Sequence, residues 1–502
     1  MADSDTESPT TPSEGDPEQS TDSLIAERRA KAERLRDAGR DPFPHSFADR
    51  AEIADVRAAN EGLADGEELD RSYRVAGRIM ARRGMGKAAF IDLVDGSGKI
   101  QLQSRSDVLG PEEHELLVSM DLGDHVGIEG TIFKSRRGEL SLRVTDWWPL
   151  AKALRPLPDK YHGLTDVEAR YRHRELDLIA NPEVKRAFQI RARTIAEIRN
   201  WLDAEGFVEV ETPVLQPIYG GALARPFTTH HNALDRDLYL RIATELYLKR
   251  CIVGGIDRVY EIGKDFRNEG VSHKHNPEFT MLEWYEAYAD YNDNADRLEK
   301  LVSGAAERVL GSTTVERDGE KIDFEPPWRR MTLTEALREH AGVDLAARPS
   351  RSELAEALGT EAAADQGWGK LVDHLFSKRV EPKLIHPTFI TDYPVELSPF
   401  AKDHREHEGL VERWEAFVGG VEIANSFTEL NDPDEQRRRF AQQAEELARG
   451  DDEAQPHDED FLRALEQGMP PTGGVGLGID RLVMMLTGAK SLREVVLFPA
   501  MR

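Results

Sequence analysis

The segment 265–283, DFRNEGVSHKHNPEFTMLE, concentrates side chains that could bind a nucleotide. It follows an apolar stretch, RVYEIG, that predicts a strand. Arg267 at the end of that strand would offer a phosphate a fixed fork of donors. Glu269 could accept from an amine or a ribose hydroxyl, and Phe279 offers a flat face to a base. On its own an Arg-x-Glu pattern is weak evidence, because an ion pair on a sheet surface is the commoner explanation.

A glycine-rich segment near the C-terminus, PTGGVGLGIDRLVMML at 471–486, predicts a strand that runs into a helix. Its four glycines could let the backbone approach a ligand closely. Arg481 would lie in the first turn of the helix and point back to the same cavity. The segment lacks the GK[ST] of a P-loop and does not open a βαβ unit, so neither common phosphate-loop motif is present.

Four glutamates form the third group of candidates. Glu415 and Glu422, seven residues apart in EAFVGGVEIANSFTEL, could meet across a strand pair and hold Mg²⁺ between nucleotide phosphates. A solvated strand face explains them equally well. Glu245 and Glu283 stand among apolar residues, where an unpaired carboxylate is costly. They therefore either pair with a nearby Arg or await a cationic ligand.

The elements that must position these residues belong to two regions with different sequence patterns. Residues 71–150 show short alternating runs separated by turns such as DGSG and RRGE, which is typical of a small β-barrel. Residues 151–170 read as a linker. From 171 to 502 helices and strands mix without regular alternation, which predicts an α+β domain on a mostly antiparallel sheet, with a helical insertion at about 346–383.

The N-terminal region precedes the barrel. Residues 1–22 carry seven carboxylates and no Lys or Arg, so we expect a disordered acidic tail. Within the basic region 23–70, residues 24–44 predict an amphipathic helix with Leu24, Ile25 and Leu35 on one side.

Composition sets the outer limits. The 502 residues carry a net charge of −27, which at first argues against a nucleic-acid partner. Residues 24–40, 71–105 and 130–160 are nevertheless locally +3, +6 and +4. The single cysteine excludes a disulfide framework and a Cys-rich zinc site. The chain has no apolar run of 18 residues and no signal-like N-terminus, so we expect a cytoplasmic protein without a membrane anchor.

Together and in this order, the segments resemble the three motifs of class II aminoacyl-tRNA synthetases. Residues 187–215 resemble motif 1, the segment around Arg267 resembles motif 2, and the segment around Arg481 resembles motif 3. The barrel resembles the OB-fold anticodon domain of the Asp/Asn/Lys subgroup. Within that subgroup the chain from about residue 24 to 502 resembles the bacterial class II lysyl-tRNA synthetases.

The resemblance implies a role for each candidate. Arg267 would contact the ATP α-phosphate and the substrate carboxylate, Arg481 would contact the γ-phosphate, and Phe279 would stack on the adenine. Arg267, Arg481 and Glu269 are the residues expected to carry catalysis. The remaining implied positions are Glu269, His275, Asn276 and Gly478 for ATP; Glu415 and Glu422 for Mg²⁺; Gly221, Glu245, Glu283, Tyr285, Asn425, Phe427 and Glu429 for lysine; and Phe90 and Gln101 for the anticodon.

The implied reaction is activation of L-lysine by ATP and its transfer to tRNA(Lys), by a homodimer formed through motif 1 and without zinc. Two other functions stay open: a lysine-activating paralogue that modifies a protein, and a non-catalytic RNA-binding relative. The first would lack the barrel, and the second would lack a phosphate-binding Arg or a metal-binding carboxylate.

Overall fold

The fold was analysed on a computed structural model, which describes residues 17–84, 86–158, 164–359, 367–398, 400–449 and 455–501. The chain divides into two compact units, Met1–Gly163 and Leu164–Arg502. Among the described residues, no helix is long and apolar enough to cross a membrane.

The first unit is a closed five-stranded barrel with strand order β1-β2-β3-β5-β4. Neighbouring strands are antiparallel except β3 and β5, which run parallel. Along β3, Ile100 and Leu102 point into the core and alternate with half-buried Gln101 and Gln103, as the period of two requires. The elements of this unit are α1 (Pro17–Asp37), α2 (Ile53–Ala59), β1 (Glu68–Arg83), β2 (Ala88–Val94), β3 (Lys99–Arg105), α3 (Ser106–Leu109), α4 (Pro111–Ser119), β4 (His125–Lys134) and β5 (Leu140–Ala151).

Helix α1 differs from its prediction at its start and on its apolar side. It begins at Pro17, inside the stretch 1–22 that was expected to be a disordered tail. Residues 1–16 of that tail lie outside the described residues. Leu35 packs into the barrel core, whereas Leu24 is 41% exposed.

Part of the basic charge of α1 attaches the helix to its own barrel. Arg28 donates to the carbonyl oxygen of Ala153 at 2.9 Å, and Lys31 pairs with Asp121 at 2.5 Å. Asp121 is shared with Lys152, whose buried ammonium also lies 2.9 Å from Asp124. The local excess of +3 therefore overstates the charge that this helix presents to solvent.

The second unit is built on an eight-stranded sheet with the order β14-β15-β16-β17-β18-β11-β10-β6. Its six central strands pair antiparallel, and only the outermost pairs, β14 with β15 and β10 with β6, run parallel. The expectation of a mostly antiparallel α+β domain is confirmed. Trp284, Trp414 and Leu477 on this sheet pack with Leu298 of α9 and Met484 of α15 in the main core.

The bounds of this unit follow in chain order. The helices are α5 (Val167–Arg172), α6 (Arg174–Ala180), α7 (Pro182–Ala204), α8 (Glu245–Val253), α9 (Tyr291–Leu310), α10 (Leu333–Ala341), α11 (Arg351–Leu358), α12 (Trp368–Arg379), α13 (Pro433–Ala448), α14 (Glu459–Leu465), α15 (Ile479–Leu486) and α16 (Leu492–Val495), with 3-10 turns at Leu345–Ala347, Glu381–Lys383 and Val395–Leu397. The strands are β6 (Val208–Glu209), β7 (Leu215–Gln216), β8 (Thr228–His231), β9 (Arg236–Leu240), β10 (Arg258–Phe266), β11 (Glu278–Ala287), β12 (Thr314–Arg317), β13 (Glu320–Asp323), β14 (Arg329–Thr332), β15 (Thr388–Pro394), β16 (Leu410–Val418), β17 (Val421–Thr428) and β18 (Thr472–Gly478).

Two predicted segments, the linker at 151–170 and the helical insertion at about 346–383, can be compared with these elements. The region between the end of β5 at Ala151 and the start of α5 at Val167 has no helix or strand among its described residues, which omit 159–163. Helices α11 and α12 occupy the predicted insertion, of which residues 360–366 lie outside the description. The domain limits themselves stay predictions.

Candidate active site

One cavity of about 350 Å³ in the second unit collects every site residue predicted for that unit. Strands β11, β16, β17 and β18 of the sheet supply lining residues, and Arg267, directly after β10, is also part of the lining. The lining includes Arg267, Glu269, His275, Asn276, Phe279, Gly478 and Arg481, the carboxylates Glu415 and Glu422, and the predicted lysine set Gly221, Glu245, Glu283, Tyr285, Asn425, Phe427 and Glu429.

Arg267 and Phe279 are brought together by the β10–β11 hairpin. The register pairs Asp265 with Phe279, and the Arg267 N–H donates to the carbonyl oxygen of Pro277 at 2.9 Å. The guanidinium carbon of Arg267 then lies 5.1 Å from the centre of the Phe279 ring. The chain thus places a cation and an aromatic face side by side, which suits a phosphate linked to a base.

Beneath this hairpin lies a buried ion-pair network that the sequence did not single out. Arg241, 2% exposed, pairs with Glu261 at 2.5 Å and with Asp265 at 3.2 Å. Its Nε–H donates to the Lys264 carbonyl oxygen at 2.9 Å. Burial raises the pKa of Asp265 to about 6 against the opposing effect of Arg241. Because these contacts fix the end of β10, they also fix the starting point of Arg267.

Arg481 lies in the first turn of α15, as predicted. Its Nη1–H donates to the backbone carbonyl of Glu422 at 2.8 Å and lies 3.1 Å from the Glu422 carboxylate. Its neighbour Asp480 accepts from the Thr280 N–H at 2.9 Å through one oxygen and pairs with Arg191 of α7 at 2.5 Å through the other. One buried carboxylate therefore joins the three segments that resemble motifs 1, 2 and 3.

His275 and Asn276 occupy the turn before β11. His275 shares a contact of 3.0 Å with the Ser272 hydroxyl, and burial together with the nearby Arg481 lowers its pKa to about 4. The imidazole is therefore neutral at physiological pH. Asn276 donates to the carbonyl of Glu278 at 2.6 Å and accepts from the Ala500 N–H at 3.2 Å. Asn276 therefore links the C-terminal segment, through Ala500, to the β10–β11 hairpin.

The glycines of β18 serve two purposes, only one of which was expected. A Cβ on Gly474 would collide with the Glu429 carboxylate and the Tyr285 ring, and one on Gly473 would lie 2.6 Å from the Asn294 amide. A Cβ on Gly476 would have its nearest neighbour only 3.8 Å away, at Met281. Gly473 and Gly474 thus make room for the chain's own side chains, whereas Gly476 leaves the cavity floor open.

Glu415 and Glu422 lie on the adjacent strands β16 and β17, both within the cavity lining. They are not directly opposite, since Glu415 pairs with Asn425 and Glu422 with Phe417 across a bulge. Glu415 accepts from the Tyr393 hydroxyl at 2.9 Å and pairs with Arg413 at 2.5 Å. Burial and the nearby Glu422 raise the pKa of Glu415 to about 7 against the attraction of Arg413. Within the described ranges no group of three or more His, Cys, Asp or Glu residues has metal-binding geometry.

The predicted lysine end of the cavity holds three buried carboxylates, Glu245, Glu283 and Glu429, which are 5%, 6% and 1% exposed. The expectation that such carboxylates pair with an Arg or await a ligand proved incomplete. Lys249, fully buried and one turn along α8, lies 2.6 Å from Glu245 and also pairs with Glu429. The Glu245-to-Lys249 spacing of four residues inside an apolar helix was the signal that could have revealed it.

Glu283 is different, because no cation partners it among the described residues. Its carboxylate accepts from the Thr244 N–H at 3.1 Å and from the Tyr285 hydroxyl at 3.3 Å. Burial, followed by the nearby charges of Asp265 and Glu245, raises its pKa to about 8. Such a group would be stabilised in its charged form by a bound cation.

Three further predicted residues, Gly221, Asn425 and Phe427, also line the cavity near these carboxylates. Gly221 adopts a φ of +89°, and a Cβ there would lie 2.9 Å from Glu245. Asn425 accepts from Arg413 Nε–H at 2.9 Å. Phe427 places its ring 5.5 Å from the Lys249 ammonium. Each of these positions therefore neighbours a charged side chain: Glu245 for Gly221, Arg413 for Asn425 and Lys249 for Phe427.

In the barrel, Phe90 and Gln101 both lie half-exposed on β2 and β3. The register pairs Phe90 with Gln103, and Gln101 with Asp92, so the two predicted readers are diagonal neighbours. Arg143 was not predicted; its Nε–H donates to Gln103 at 3.3 Å. The guanidinium also covers the Phe133 ring, with 5.1 Å between the guanidinium carbon and the ring centre. The face therefore combines aromatic, amide and cationic groups, a composition typical of single-stranded nucleic-acid binding.

Comparison with known proteins agrees with this arrangement in both units. Residues 166–502 match the family described as tRNA synthetases class II (D, K and N), and residues 73–150 match the OB-fold nucleic acid binding domain. The chain is 51% identical to a lysine–tRNA ligase of Pelotomaculum thermopropionicum, with 97% of this chain and 96% of the relative covered. It is 52% identical to that of Moorella thermoacetica (95% and 98% covered) and 50% to that of Carboxydothermus hydrogenoformans (96% and 99%). The resemblance and the predicted fold class are confirmed, and the chain belongs to the class II tRNA synthetases of the D, K and N group.

Proposed function

We propose that the protein activates L-lysine with ATP to form lysyl-adenylate and then transfers lysine to the 3′ end of tRNA(Lys). One observation carries this proposal. A single cavity is lined by two arginines, one of them beside an aromatic ring, and by three buried carboxylates. The arginines and the ring suit a nucleotide, and the carboxylates suit a cationic amino acid.

The nucleotide end is assigned to ATP. Phe279 stacks on adenine, Arg267 contacts the α-phosphate and the carboxylate of the amino acid, and Arg481 contacts the γ-phosphate. Glu269, His275, Asn276 and Gly478, all in the cavity lining, complete the ATP site. A neutral His275 can donate or accept a hydrogen bond there without repelling the two arginines.

The residues present also fit Mg²⁺. Glu415 and Glu422 offer the hard oxygen ligands that Mg²⁺ takes beside phosphates. Burial raises the pKa of Glu415, so a bound cation would favour its charged form. When bound, Mg²⁺ would neutralise charge on the ATP phosphates. Protein ligands plus phosphate oxygens are sufficient for such a site, because Mg²⁺ seldom uses an all-protein cage.

The carboxylate end selects lysine over aspartate or asparagine. With all three carboxylates ionised and Lys249 protonated, the site holds a net charge of about −2, which favours an ammonium and repels a substrate carboxylate. Tyr285, Asn425, Phe427 and Gly221 complete its walls.

Catalysis in this site is positioning and charge neutralisation. The lysine carboxylate attacks the ATP α-phosphate in line, pyrophosphate leaves, and the terminal adenosine hydroxyl of tRNA later accepts the lysyl group. Arg267 and Arg481 stabilise the charge that develops on the phosphates, with Glu269 holding the nucleotide. No side chain has to act as a nucleophile.

The barrel is assigned to the tRNA anticodon. Phe90 supplies a stacking platform and Gln101 a base-edge donor and acceptor, as on other OB-folds. The presence of this barrel disfavours the protein-modifying paralogue. The joint presence of Arg267, Arg481, Glu415 and Glu422 in one cavity disfavours the non-catalytic relative.

A homodimer through the motif 1 segment is also part of the proposal, as is a cytoplasmic location, where tRNA and ATP are available. Val208, Val214 and Leu215 expose 49%, 39% and 48% of their surface within or at the end of that segment. Clustered apolar side chains of this kind mark a surface that is buried by a partner.

The experiment that tests the lysine site is ATP–pyrophosphate exchange on Glu429→Gln. Losing a buried carboxylate that pairs with an ammonium should reduce kcat/KM for lysine by roughly 30-fold or more, equivalent to about 2 kcal/mol. The KM for ATP should stay unchanged. Glu445→Gln, on a surface glutamate 70% exposed, is the matched control. Equal lysine use by both variants would refute the assignment.

A separate experiment tests the anticodon assignment. Phe90→Ala should weaken tRNA charging and leave lysine-dependent exchange intact, because adenylate formation does not need the barrel. Phe43→Ala removes a phenyl ring that is 46% exposed elsewhere in the same unit and serves as the control. Equal loss of both activities in Phe90→Ala would contradict the assignment.

A further inference from the structure

Lys249 stands out because it is fully buried beside a site that is proposed to bind another lysine ammonium. Its Nζ lies 2.6 Å from Glu245 Oε1 and contacts Glu429 Oε2. The ammonium also lies 5.4 Å and 5.5 Å from the ring centres of Phe400 and Phe427. Two carboxylates and two aromatic faces therefore surround one cation.

Lys249 does not reach the ligand space itself. It is not among the described residues that line the cavity, whereas Glu245, Glu429, Phe400 and Phe427 all are. Its contacts with these residues are thus made from outside the cavity lining. Lys249 can therefore affect substrate binding through the two carboxylates that it contacts and through its charge.

The charge of Lys249 is maintained by its surroundings. Burial disfavours the ammonium, but Glu245 and Glu429 outweigh burial and raise the pKa of Lys249. It therefore stays protonated in the empty site. With all carboxylates ionised, Glu245, Glu283 and Glu429 contribute −3 and Lys249 +1, so the site carries about −2 rather than −3.

We propose that Lys249 is a positioning residue of the lysine site: its ammonium orients Glu245 and Glu429 and cancels one of the three buried negative charges. The inference rests on the proposed lysine site and adds how that site is kept ready while empty. Without Lys249 the empty site would contain three buried carboxylates and no cation. Because three unpaired buried charges are costly, the carboxylates would take up protons. Those protons would have to leave when lysine binds.

The test counts protons released on lysine binding, by calorimetry at one pH in buffers of different ionisation enthalpy. Lys249→Met is the central variant, since it keeps the length of the side chain and removes its charge. It should bind lysine roughly 10- to 100-fold more weakly, the usual loss when an outer partner of a binding group is removed. It should also release about one proton more per lysine bound than wild type. The titratable groups that face one another there are Glu245, Glu283, Glu429, Asp265, Lys249 and the hydroxyl of Tyr285.

Two variants on the partner carboxylate complete a cycle. Glu429→Gln reduces the net charge of the site to about −1 and should release fewer protons than wild type. The double variant Lys249→Met with Glu429→Gln returns the charge to about −2 and should release the wild-type number, although it binds lysine weakly. If Lys249→Met does not fold, the double variant compared with Glu429→Gln measures the same difference of about one proton.

Lys152→Met is the matched control. Lys152 is also a fully buried lysine between two carboxylates, Asp121 and Asp124, but it belongs to the barrel unit. Its loss should leave the proton count and the lysine affinity unchanged. The KM for ATP should stay at the wild-type value in all variants of the lysine site, which separates a local effect from a general loss of structure.

The outcomes separate the inference from the proposed function. Equal proton counts in wild type and Lys249→Met, or in Glu429→Gln and the double variant, would overturn the role of Lys249 even where affinity falls. Wild-type lysine affinity in Glu429→Gln would instead refute the lysine site itself. An extra proton in Lys249→Met that disappears in the double variant would support both.

Discussion

Replacing Arg191 with Met removes a link between the segments that resemble motifs 1, 2 and 3. Arg191 on α7 pairs with Asp480 at 2.5 Å and donates to the Thr280 hydroxyl at 2.9 Å. The Asp480 side chain is only 3% exposed, and Arg191 is 16% exposed. The substitution therefore leaves a buried carboxylate that retains only its bond from the Thr280 N–H.

The expected magnitude follows from that burial. Breaking a buried ion pair by removing one partner costs about 3 to 5 kcal/mol, and the partial exposure of Arg191 places this case near 3 kcal/mol. Because Thr280 follows Phe279 and Asp480 precedes Arg481, the positions of both nucleotide contacts should loosen as well. We expect kcat for exchange to fall by roughly 10-fold to 100-fold, as misplacement of about 1 Å does elsewhere.

The assay combines denaturant unfolding at fixed protein concentration with ATP–pyrophosphate exchange. Arg199→Met, on the same helix as Arg191, is the control. The pair that Arg199 forms with Glu209 of β6 is 42% and 38% exposed and should contribute less than about 1 kcal/mol. Asp480→Asn keeps an acceptor for the Thr280 N–H, so the double variant Arg191→Met with Asp480→Asn should regain about 2 kcal/mol over Arg191→Met alone. Unchanged stability in Arg191→Met, or no recovery in the double variant, would refute this reasoning.

Three further predictions concern the cavity and the dimer. Gly474→Ala places a methyl group against Glu429 and Tyr285, so lysine-dependent exchange should fall by more than about 10-fold. Gly304→Ala, whose added Cβ would meet no atom within 4 Å and which does not line the cavity, should spare that exchange; equal rates in the two variants would contradict the steric argument. The pKa of Glu283 is raised to about 8, and a substrate ammonium needs the charged form of this carboxylate, so kcat/KM for lysine should rise as the pH increases through about 8. This rise should be lost in Glu283→Gln. A rise that persists in Glu283→Gln would show that another group titrates there. Leu215→Glu should convert the proposed dimer to monomer in analytical ultracentrifugation, because it places a charge among the exposed apolar side chains of the motif 1 segment. An intact dimer would exclude those side chains as the interface.

The sequence predicted the membership of the cavity well, chiefly because its resemblance to the three synthetase motifs implied most of the lining residues. Arg267 follows a strand and Arg481 lies in the first turn of a helix, as the local pattern predicted. The alternating pattern of 71–150 likewise predicted a barrel, which the structure forms from five strands. Local periodicity and residue type were sufficient for these elements, whereas the grouping of side chains from distant segments in one cavity was implied by the resemblance.

The predictions were incomplete for contacts between side chains that are far apart in the sequence and are brought together only by packing. The counter-ion of Glu245 and Glu429 is Lys249, and Glu429 lies far along the chain from the helix that carries this lysine. The Arg191–Asp480 pair joins α7 to α15 in the same way. The glycines of β18 suggested a close ligand approach, yet Gly474 is required by two of the chain's own side chains. Apart from the four-residue spacing of Glu245 and Lys249 on one helix, none of these contacts leaves a periodic signal in the sequence.

The central claim is that buried carboxylates at one end of a nucleotide-binding cavity make the enzyme specific for lysine. The most direct test is ATP–pyrophosphate exchange measured with each of the twenty amino acids in turn. Exchange that depends on lysine alone is the predicted result. Exchange supported by aspartate or asparagine but not by lysine would contradict the claim.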